Sequence, residues 1–183
     1  MKNTEFYAQT PRLILRRPTE ADASALAQAR STDFVTRYNL YQPCGADQIQ
    51  KELEWFEHIL LELKDEGRVI GCISVRDDDL RYHMDSKTLH AWLTRDMAYR
   101  GLMAEALEVV FAELFINRGH ERIAIQIMSE NQASIRLAEK LGFEPEGYLK
   151  RALRNSKDQV FDLALYSLDR ETYLQKRNQK DHT

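Results

Sequence analysis

The stretch Asn131-Gln132-Ala133-Ser134-Ile135-Arg136-Leu137-Ala138-Glu139-Lys140-Leu141-Gly142-Phe143-Glu144-Pro145-Glu146-Gly147 joins a helix start, a helix stop and the opening of a strand. Asn131 carries the short side-chain carbonyl that accepts from exposed first-turn amides. Gly142 can take the left-handed conformation that ends a helix, with Phe143 folding back as its apolar partner. Between them Ser134, Leu137, Ala138 and Leu141 fall at i, i+3, i+4 and i+7, so the spacing predicts one inward face. Ser134 is the small polar residue on that stripe, one turn from the helix N-terminus, where a hydroxyl can touch a ligand entering from that end.

Working outward, the remaining sequence predicts alternating strands and helices. Arg12-Leu13-Ile14-Leu15-Arg16 alternates with period two up to Pro18, and Thr19-Glu20-Ala21-Asp22 reads as a cap opening an alanine-rich helix to about Arg30. A turn at Pro43-Cys44-Gly45 precedes a second helix from about Ala46 to Glu57. Ile59 to Lys64, the turn Asp65-Glu66-Gly67 and Arg68 to Val75 read as a hairpin, followed by a polar connection from Asp77 to Asp85 and a strand over Leu89-His90-Ala91-Trp92-Leu93.

Gly101 opens the most amphipathic helix. Met103, Ala106, Leu107, Val110, Phe111 and Leu114 share its inward face, with Glu105 and Glu108 away from it. Ile123, Ile125 and Ile127 alternate as a strand. After the Asn131 helix, Leu149 to Arg154 and Val160 to Leu168 supply two more strands, and Asp169 caps a charged helix that frays over Lys176-Arg177-Asn178-Gln179-Lys180. Strands broken by single helices, with hairpins at both ends, imply an α/β (α+β) fold whose mixed sheet carries helices on both faces.

A chain of 183 residues with 43% hydrophobic content is long enough for one domain with a substantial core, so residues 1–183 are expected to form a single domain. The 26 basic and 29 acidic residues are interspersed and leave a net charge of -3, which argues against nucleic acid as a partner. The N-terminal residues lack an apolar leader core and no segment is long enough to span a bilayer, so a cytoplasmic protein without membrane association is expected. Cys44 and Cys72 are too few for a disulfide framework and have no metal-ligand spacing; Cys72 reads as a packed residue.

The signature from Asn131 resembles the Asn-x-x-Ser … Glu-Lys-Leu-Gly-Phe … Glu-Gly pattern of GNAT-superfamily N-acetyltransferases, in particular the RimJ/RimL-like branch that acetylates protein N-termini. The resemblance extends to Thr10-Pro11-Arg12-Leu13-Ile14-Leu15-Arg16, similar to that family's opening strand, and to Val69-Ile70-Gly71, similar to its central hairpin. It implies a GNAT fold, with a mixed, mostly antiparallel sheet and a splay between the two central strands, here Leu89 to Leu93 and Arg122 to Met128. It also implies acetyl-CoA as acyl donor, no metal, and an amine acceptor attacking directly in a ternary complex. A homodimer is compatible with it.

The loop Asp96-Met97-Ala98-Tyr99-Arg100-Gly101-Leu102-Met103-Ala104-Glu105-Ala106 lies between a strand and a helix N-terminus, an arrangement whose unpaired amides and helix dipole favour anions. In the family it reads Gln/Arg-x-x-Gly-x-Gly/Ala. Gly101 matches the second glycine, Tyr99 replaces the first and Asp96 replaces the Gln/Arg. These replacements cost backbone freedom and place a negative charge near a polyanion. A single glycine at such a turn is also an ordinary turn; the register to Glu105-Ala106 and the Asn131 signature favour a ligand site. By resemblance Tyr99, Arg100, Gly101, Leu102, Met103 and Ala104 then hold the coenzyme pyrophosphate, with Arg100 adding a cation. Asn131 serves both as cap and as cofactor contact. The glycines of a P-loop or dinucleotide fingerprint are missing.

The resemblance further implies that a backbone amide near Leu93 faces the thioester oxygen. The family's tyrosine acid falls at Ala138. Ser134 matches the serine thought to stabilise or protonate the leaving thiolate in RimJ/RimL-like enzymes, and reads equally as a first-turn helix residue. The general base is open among His83, Asp85, His90, Glu146 and Asp162; His90 and Asp162 are the candidates for the acceptor side. Acidic groups from Asp77 to Asp85 and at Asp162 fit a cationic acceptor. A protein N-terminus, a small amine (polyamine, amino acid or aminoglycoside), and a catalytically impaired acyl-CoA-binding module all remain open.

Overall fold

The computed structural model describes residues 7–39, 43–155 and 158–180. Residues 1–6, on which the reading of the N-terminus partly rests, lie outside the described residues. The chain divides into two compact units, residues 1–75 with 90–109 and residues 76–89 with 110–183, so that neither is continuous in sequence.

The first unit contains β1 (Tyr7–Gln9), β2 (Leu13–Arg16), α1 (Ala23–Arg30), the short α2 (Asp33–Thr36), α3 (Ala46–Leu53), β3 (Glu57–Leu63) and most of β4 (Val69–Asp77). It also holds the C-terminal half of β5 (Ser86–Leu93) and the start of α4 (Leu102–Ala112). Its strands follow the order β1-β2-β3-β4, antiparallel throughout. Ala23, Leu26 and Ala27 of α1 and Ile49 of α3 pack with Val35, Leu60, Cys72 and Trp92 in one buried cluster. Burial pushes the Cys72 thiol up to about 12, as expected of a packed residue.

The cap at Thr19 forms as expected. The Asp22 carboxylate accepts from the Thr19 amide at 2.7 Å and hydroxyl at 2.9 Å, and pairs with both terminal nitrogens of Arg16 at 2.8 Å. The helix expected to reach Glu57 ends at Leu53, because β3 claims Glu57 onward and pairs it with Val75.

The second unit contains the polar connection after β4, the N-terminal half of β5, the end of α4, β6 (Arg122–Met128), α5 (Gln132–Leu141), β7 (Glu144–Arg154), β8 (Val160–Asp169) and α6 (Arg170–Lys180). Strand order here is β5-β6-β8-β7. The β5–β6 ladder is parallel and registers Ser86, Lys87 and Thr88 opposite Arg122, Ile123 and Ala124, whereas β6 pairs antiparallel with β8 as far as Met128. The sheet is therefore mixed and mostly antiparallel.

Several local expectations shift. Helix α4 passes into a π-helical turn at Glu113–Asn117, which buries Phe115 beside Leu114. Leu102 rather than Met103 fills the inward position of its first turn. Strand β6 does not alternate cleanly: Ala124 and Met128 are buried and Ile125 only half-buried, as in a strand covered on both faces. Helix α6 runs unbroken from Arg170 to Lys180. Asp169 ends β8 and turns its carboxylate to Arg122 at 3.0 Å, while the Arg170 amide donates to the Glu121 carbonyl. Phe111, Phe115, Phe143 and Tyr173 form the aromatic core of this unit, with Phe115 and Tyr173 stacked at 5.0 Å. Among the described residues no helix is long and apolar enough to cross a membrane.

Candidate active site

Helix α5 ends and begins as its sequence dictates. The Ser134 amide donates to Asn131 Oδ1 at 3.2 Å, so Asn131 is a true cap. At the other end Gly142 adopts φ +93°, its amide donates to the Glu139 carbonyl and that of Phe143 to the Ala138 carbonyl, both at 3.0 Å. This is the six-to-one and five-to-two pairing of a Schellman stop, and Phe143 is buried against it. The buried stripe is rotated from the expected one: Ile135 and Ala138 are buried, while Ser134, Leu137 and Leu141 sit half-buried at its margin. Ser134 is thus partly open rather than enclosed, and among the described residues its hydroxyl has no protein partner. Ala138 is 2% exposed, so the position of the family's tyrosine acid faces the core here.

The loop before α4 belongs to the first unit. Tyr99 has φ +60° and Gly101 φ +78°, two left-handed residues flanking Arg100. Tyr99 is 86% exposed, and replaces the family's glycine by adopting the backbone conformation a glycine would supply. The first bond of the helix runs from the Glu105 amide to the Gly101 carbonyl at 3.1 Å, which leaves the amides of Leu102, Met103 and Ala104 ahead of the ladder. A Cβ on Gly101 would meet only Arg12 Nη2, at an ordinary 3.6 Å, so glycine is required there for conformation and not for space. The Arg100 guanidinium reaches Met97 Sδ at 3.0 Å. Asp96, expected to repel a polyanion, is paired with Arg68 at 2.9 Å.

Sequence reasoning missed the group that holds this loop. Glu105 does not lie away from the packed face. It accepts from the Arg12 amide at 3.0 Å, from Arg12 Nε and Nη2 at 2.7 Å each, and from the Thr10 hydroxyl in a short contact. Burial raises the Glu105 carboxyl, but the bonds from Thr10 and Arg12 outweigh it and hold it below its ordinary value. Arg12 Nη1 also donates to the Arg100 carbonyl at 3.0 Å. Some ninety positions separate these partners, so no local pattern signals them.

Leu93 ends β5. The Trp92 carbonyl oxygen lies 2.4 Å from where a Cβ on Gly71 would stand, so β5 approaches β4 more closely than any side chain at position 71 permits. In a planar trans peptide the N–H opposes the C=O, so the Leu93 amide points away from β4.

The remaining candidates carry bonds of their own. Asp85 pairs with His120 at 2.7 Å, Glu146 with both Arg81 and Arg122, and Asp162 Oδ1 accepts from the Arg151 amide at 2.7 Å, where β7 bulges. Asp77 pairs with Lys87 and Asp78 with the Ser86 hydroxyl, which reduces the acidic field expected of this segment. His83 stands in an exposed turn at φ +57°, and His90 is half-buried on β5. The structure brings Leu93, Tyr99 to Ala104 and His90 into the first unit, and Asn131, Ser134 and Asp162 into the second. Among the described residues no group of three or more His, Cys, Asp or Glu side chains could hold a metal ion.

The first unit thus sets a strand, a loop with two left-handed residues and a helix N-terminus in succession. A family model described as an acetyltransferase (GNAT) domain matches residues 12–144, and the chain belongs to this family. It is 27% identical to the uncharacterised N-acetyltransferase YoaA of Bacillus subtilis, over 87% of this chain and 94% of that protein. Among solved structures it is similar to the ribosomal-protein-S5-alanine acetyltransferase of Vibrio fischeri, with a TM-score of 0.81 and 17% identity over 92% of this chain and 98% of the other. It is likewise similar to the ribosomal L7/L12 α-N-protein acetyltransferase RimL in complex with coenzyme A, with a TM-score of 0.78 and 17% identity over 90% and 98% of the two chains. The chain is thus a GNAT N-acetyltransferase with the family's α+β fold.

Proposed function

We propose that residues 1–183 act as one domain that transfers an acetyl group from acetyl-CoA to a primary amine by direct attack in a ternary complex, with a protein N-terminus as the first-choice acceptor. The observation that carries the donor half is the paired left-handed backbone at Tyr99 and Gly101 directly ahead of α4. Such a turn presents successive amides at a helix N-terminus, where a pyrophosphate is favoured by both hydrogen bonding and the helix dipole. Tyr99 to Ala104 hold the pyrophosphate, Arg100 supplies a cation, and Asn131 contacts the donor while capping α5.

The amine must reach the thioester neutral. As its nitrogen bonds to the carbonyl carbon, negative charge develops on the oxygen, which the Leu93 amide stabilises. When the C–S bond breaks, the sulfur keeps the electron pair and the Ser134 hydroxyl hydrogen-bonds the departing thiolate, lowering the cost of its charge; the attacking nitrogen sheds one proton to solvent and the sulfur takes one up from solvent to give the free thiol. His90 and Asp162 serve the acceptor side. The protein-terminus assignment follows the names of the ribosomal-protein acetyltransferases that share the fold. The buried Ala138 supports a second reading, an acyl-CoA-binding module with impaired turnover.

Calorimetric titration with acetyl-CoA tests the donor site, with Gly101→Asp as the control that adds charge and a side chain at the pyrophosphate. Unchanged affinity in the folded variant removes the site. Thiol release with a panel of N-terminal peptides, polyamines and aminoglycosides then separates protein from small-molecule acceptors. Tight binding with no turnover on any amine selects the second reading.

A further inference from the structure

We infer that Arg12 and Glu105, with Thr10, are the positioning clamp of the Tyr99–Gly101 loop, fixing the Arg100–Gly101 peptide so that its amide is presented to the donor's pyrophosphate. The inference rests on reading that loop as the pyrophosphate site.

The guanidinium divides its donors. Nε and Nη2 both bind Glu105 Oε2 at 2.7 Å, and Nη1 binds the Arg100 carbonyl at 3.0 Å. That carbonyl belongs to the peptide that enters Gly101, the second of the two left-handed residues. Since the N–H of a trans peptide opposes its C=O, fixing the Arg100 oxygen toward Arg12 fixes the Gly101 N–H on the opposite side of the loop. A left-handed tyrosine is unfavourable by itself, and persists only where its surroundings over-determine it. Arg12 is that surrounding, and it is rigid in turn. Its own amide and the Thr10 hydroxyl hold Glu105 Oε1, and Thr10 Oγ1 also accepts from the Leu13 amide at 2.9 Å, which ties the clamp to the start of β2. Two guanidinium donors converging on Oε2, with the amide of the same residue on Oε1, fix direction as well as distance, which a lysine ammonium cannot do.

The clamp makes a prediction opposite in sign to plain electrostatics. Glu105 places a negative charge in the first turn of the helix that receives a polyanion, so if charge alone mattered, Glu105→Gln would tighten acetyl-CoA binding. If Glu105 positions Arg12, the isosteric amide weakens binding, because it cannot accept from the whole set of donors.

The test is acetyl-CoA affinity by calorimetry, with KM and kcat measured for acetyl-CoA and for S-acetylpantetheine, which lacks the pyrophosphate. We expect Glu105→Gln to raise the acetyl-CoA Kd by about threefold or more, Arg12→Ala by about tenfold and Arg12→Lys by nearly as much. The Arg12→Ala/Glu105→Gln double variant should be no weaker than Arg12→Ala, since the two act as one unit. KM for acetyl-CoA should rise with kcat little changed, and KM for S-acetylpantetheine should stay put, whereas general loosening of the fold would raise both. Should Arg12→Ala lose its cooperative thermal transition, Glu105→Gln and Thr10→Val carry the same comparison. A folded Glu105→Gln variant that binds acetyl-CoA as tightly as wild type, or tighter, overturns the clamp and leaves the loop in place. Wild-type protein that binds acetyl-CoA no better than S-acetylpantetheine removes the loop reading, and the clamp with it.

Discussion

Replacing Tyr99 with glycine should stabilise this protein without weakening its donor site. The ring is 86% exposed, so its removal forfeits little buried area. The backbone at φ +60° is the conformation that an L-residue adopts at a cost of about 1–2 kcal/mol. Glycine relieves that cost but gains about 0.5–1 kcal/mol of freedom in the unfolded chain. The net is a stabilisation of up to about 1.5 kcal/mol, which for a chain of this length raises Tm by at most about 3–6 °C. Differential scanning calorimetry reads the shift, and acetyl-CoA titration of the same sample reads the site. Gly101→Ala is the mirror experiment: at φ +78°, with its nearest neighbour at 3.6 Å, the added methyl costs conformation alone, and Tm should fall by a similar amount. A lower Tm for Tyr99→Gly would refute the claim that the side chain contributes only strain. A several-fold loss of acetyl-CoA affinity would show that the ring itself, and not the backbone it leaves behind, meets the donor.

Gly71→Ala, whose methyl would stand 2.4 Å from the Trp92 carbonyl, should cost about 1–3 kcal/mol in urea unfolding and displace the Leu93 amide, so that kcat falls more than acetyl-CoA affinity; wild-type stability would contradict the close approach. Asp22, held at about 2 by Arg16 against an ordinary 3.8, has a depressed folded-state value, so its contribution is present above about pH 4 and is lost as pH falls through 2. Asp22→Asn should flatten the stability–pH curve over that window and cost about 1–2 kcal/mol at neutral pH once solvent screening is allowed for, and an unchanged acid-unfolding profile would count against the ion pair. Ser134→Ala should lower kcat about 10²-fold with acetyl-CoA affinity nearly unchanged, while normal turnover would leave Ser134 as a helix residue only.

What the sequence made legible was local. The Asn131 cap, the Gly142 stop and the hairpin at Gly67 depend on residues within one or two turns of each other, and all three form as their chemistry requires. Periodicity erred where packing is two-sided, as in β6. The π-helical turn at Glu113–Asn117 adds Phe115 to the inward residues Phe111 and Leu114 without displacing either. Helix α3 stopped short because the partner that claims Glu57 for a strand is Val75, outside any local window. Glu105 was misplaced for a similar reason: its position on the helix wheel is polar, but its partners Thr10 and Arg12 come from the other end of the chain.

The same distinction explains how the loop accommodates two departures from the family's pattern, at Tyr99 and Asp96, and one further negative charge at Glu105. Tyr99 lacks the freedom of glycine yet holds a left-handed backbone, because Arg12 anchors the next carbonyl. Asp96 brings a negative charge, and Arg68 from the β3–β4 turn pairs with it at 2.9 Å. Glu105 brings another within the first turn of α4, and Arg12 engages both of its oxygens, Oε1 through its backbone amide and Oε2 through its guanidinium. An anion site is a property of backbone conformation and summed charge, not of residue identity. On the proposal that this loop holds the pyrophosphate, two arginines distant in sequence supply here what a glycine and a neutral or basic residue would have supplied locally. A chain with Tyr99, Asp96 and Glu105 but without Arg12 and Arg68 would present the same motif and a far poorer site. The double variant Arg12→Ala/Arg68→Ala should therefore lose acetyl-CoA affinity by more than the Gly101→Ala variant does, though neither substitution touches the loop's own sequence. Equal or smaller loss in the folded double variant would return the explanation to the loop residues alone.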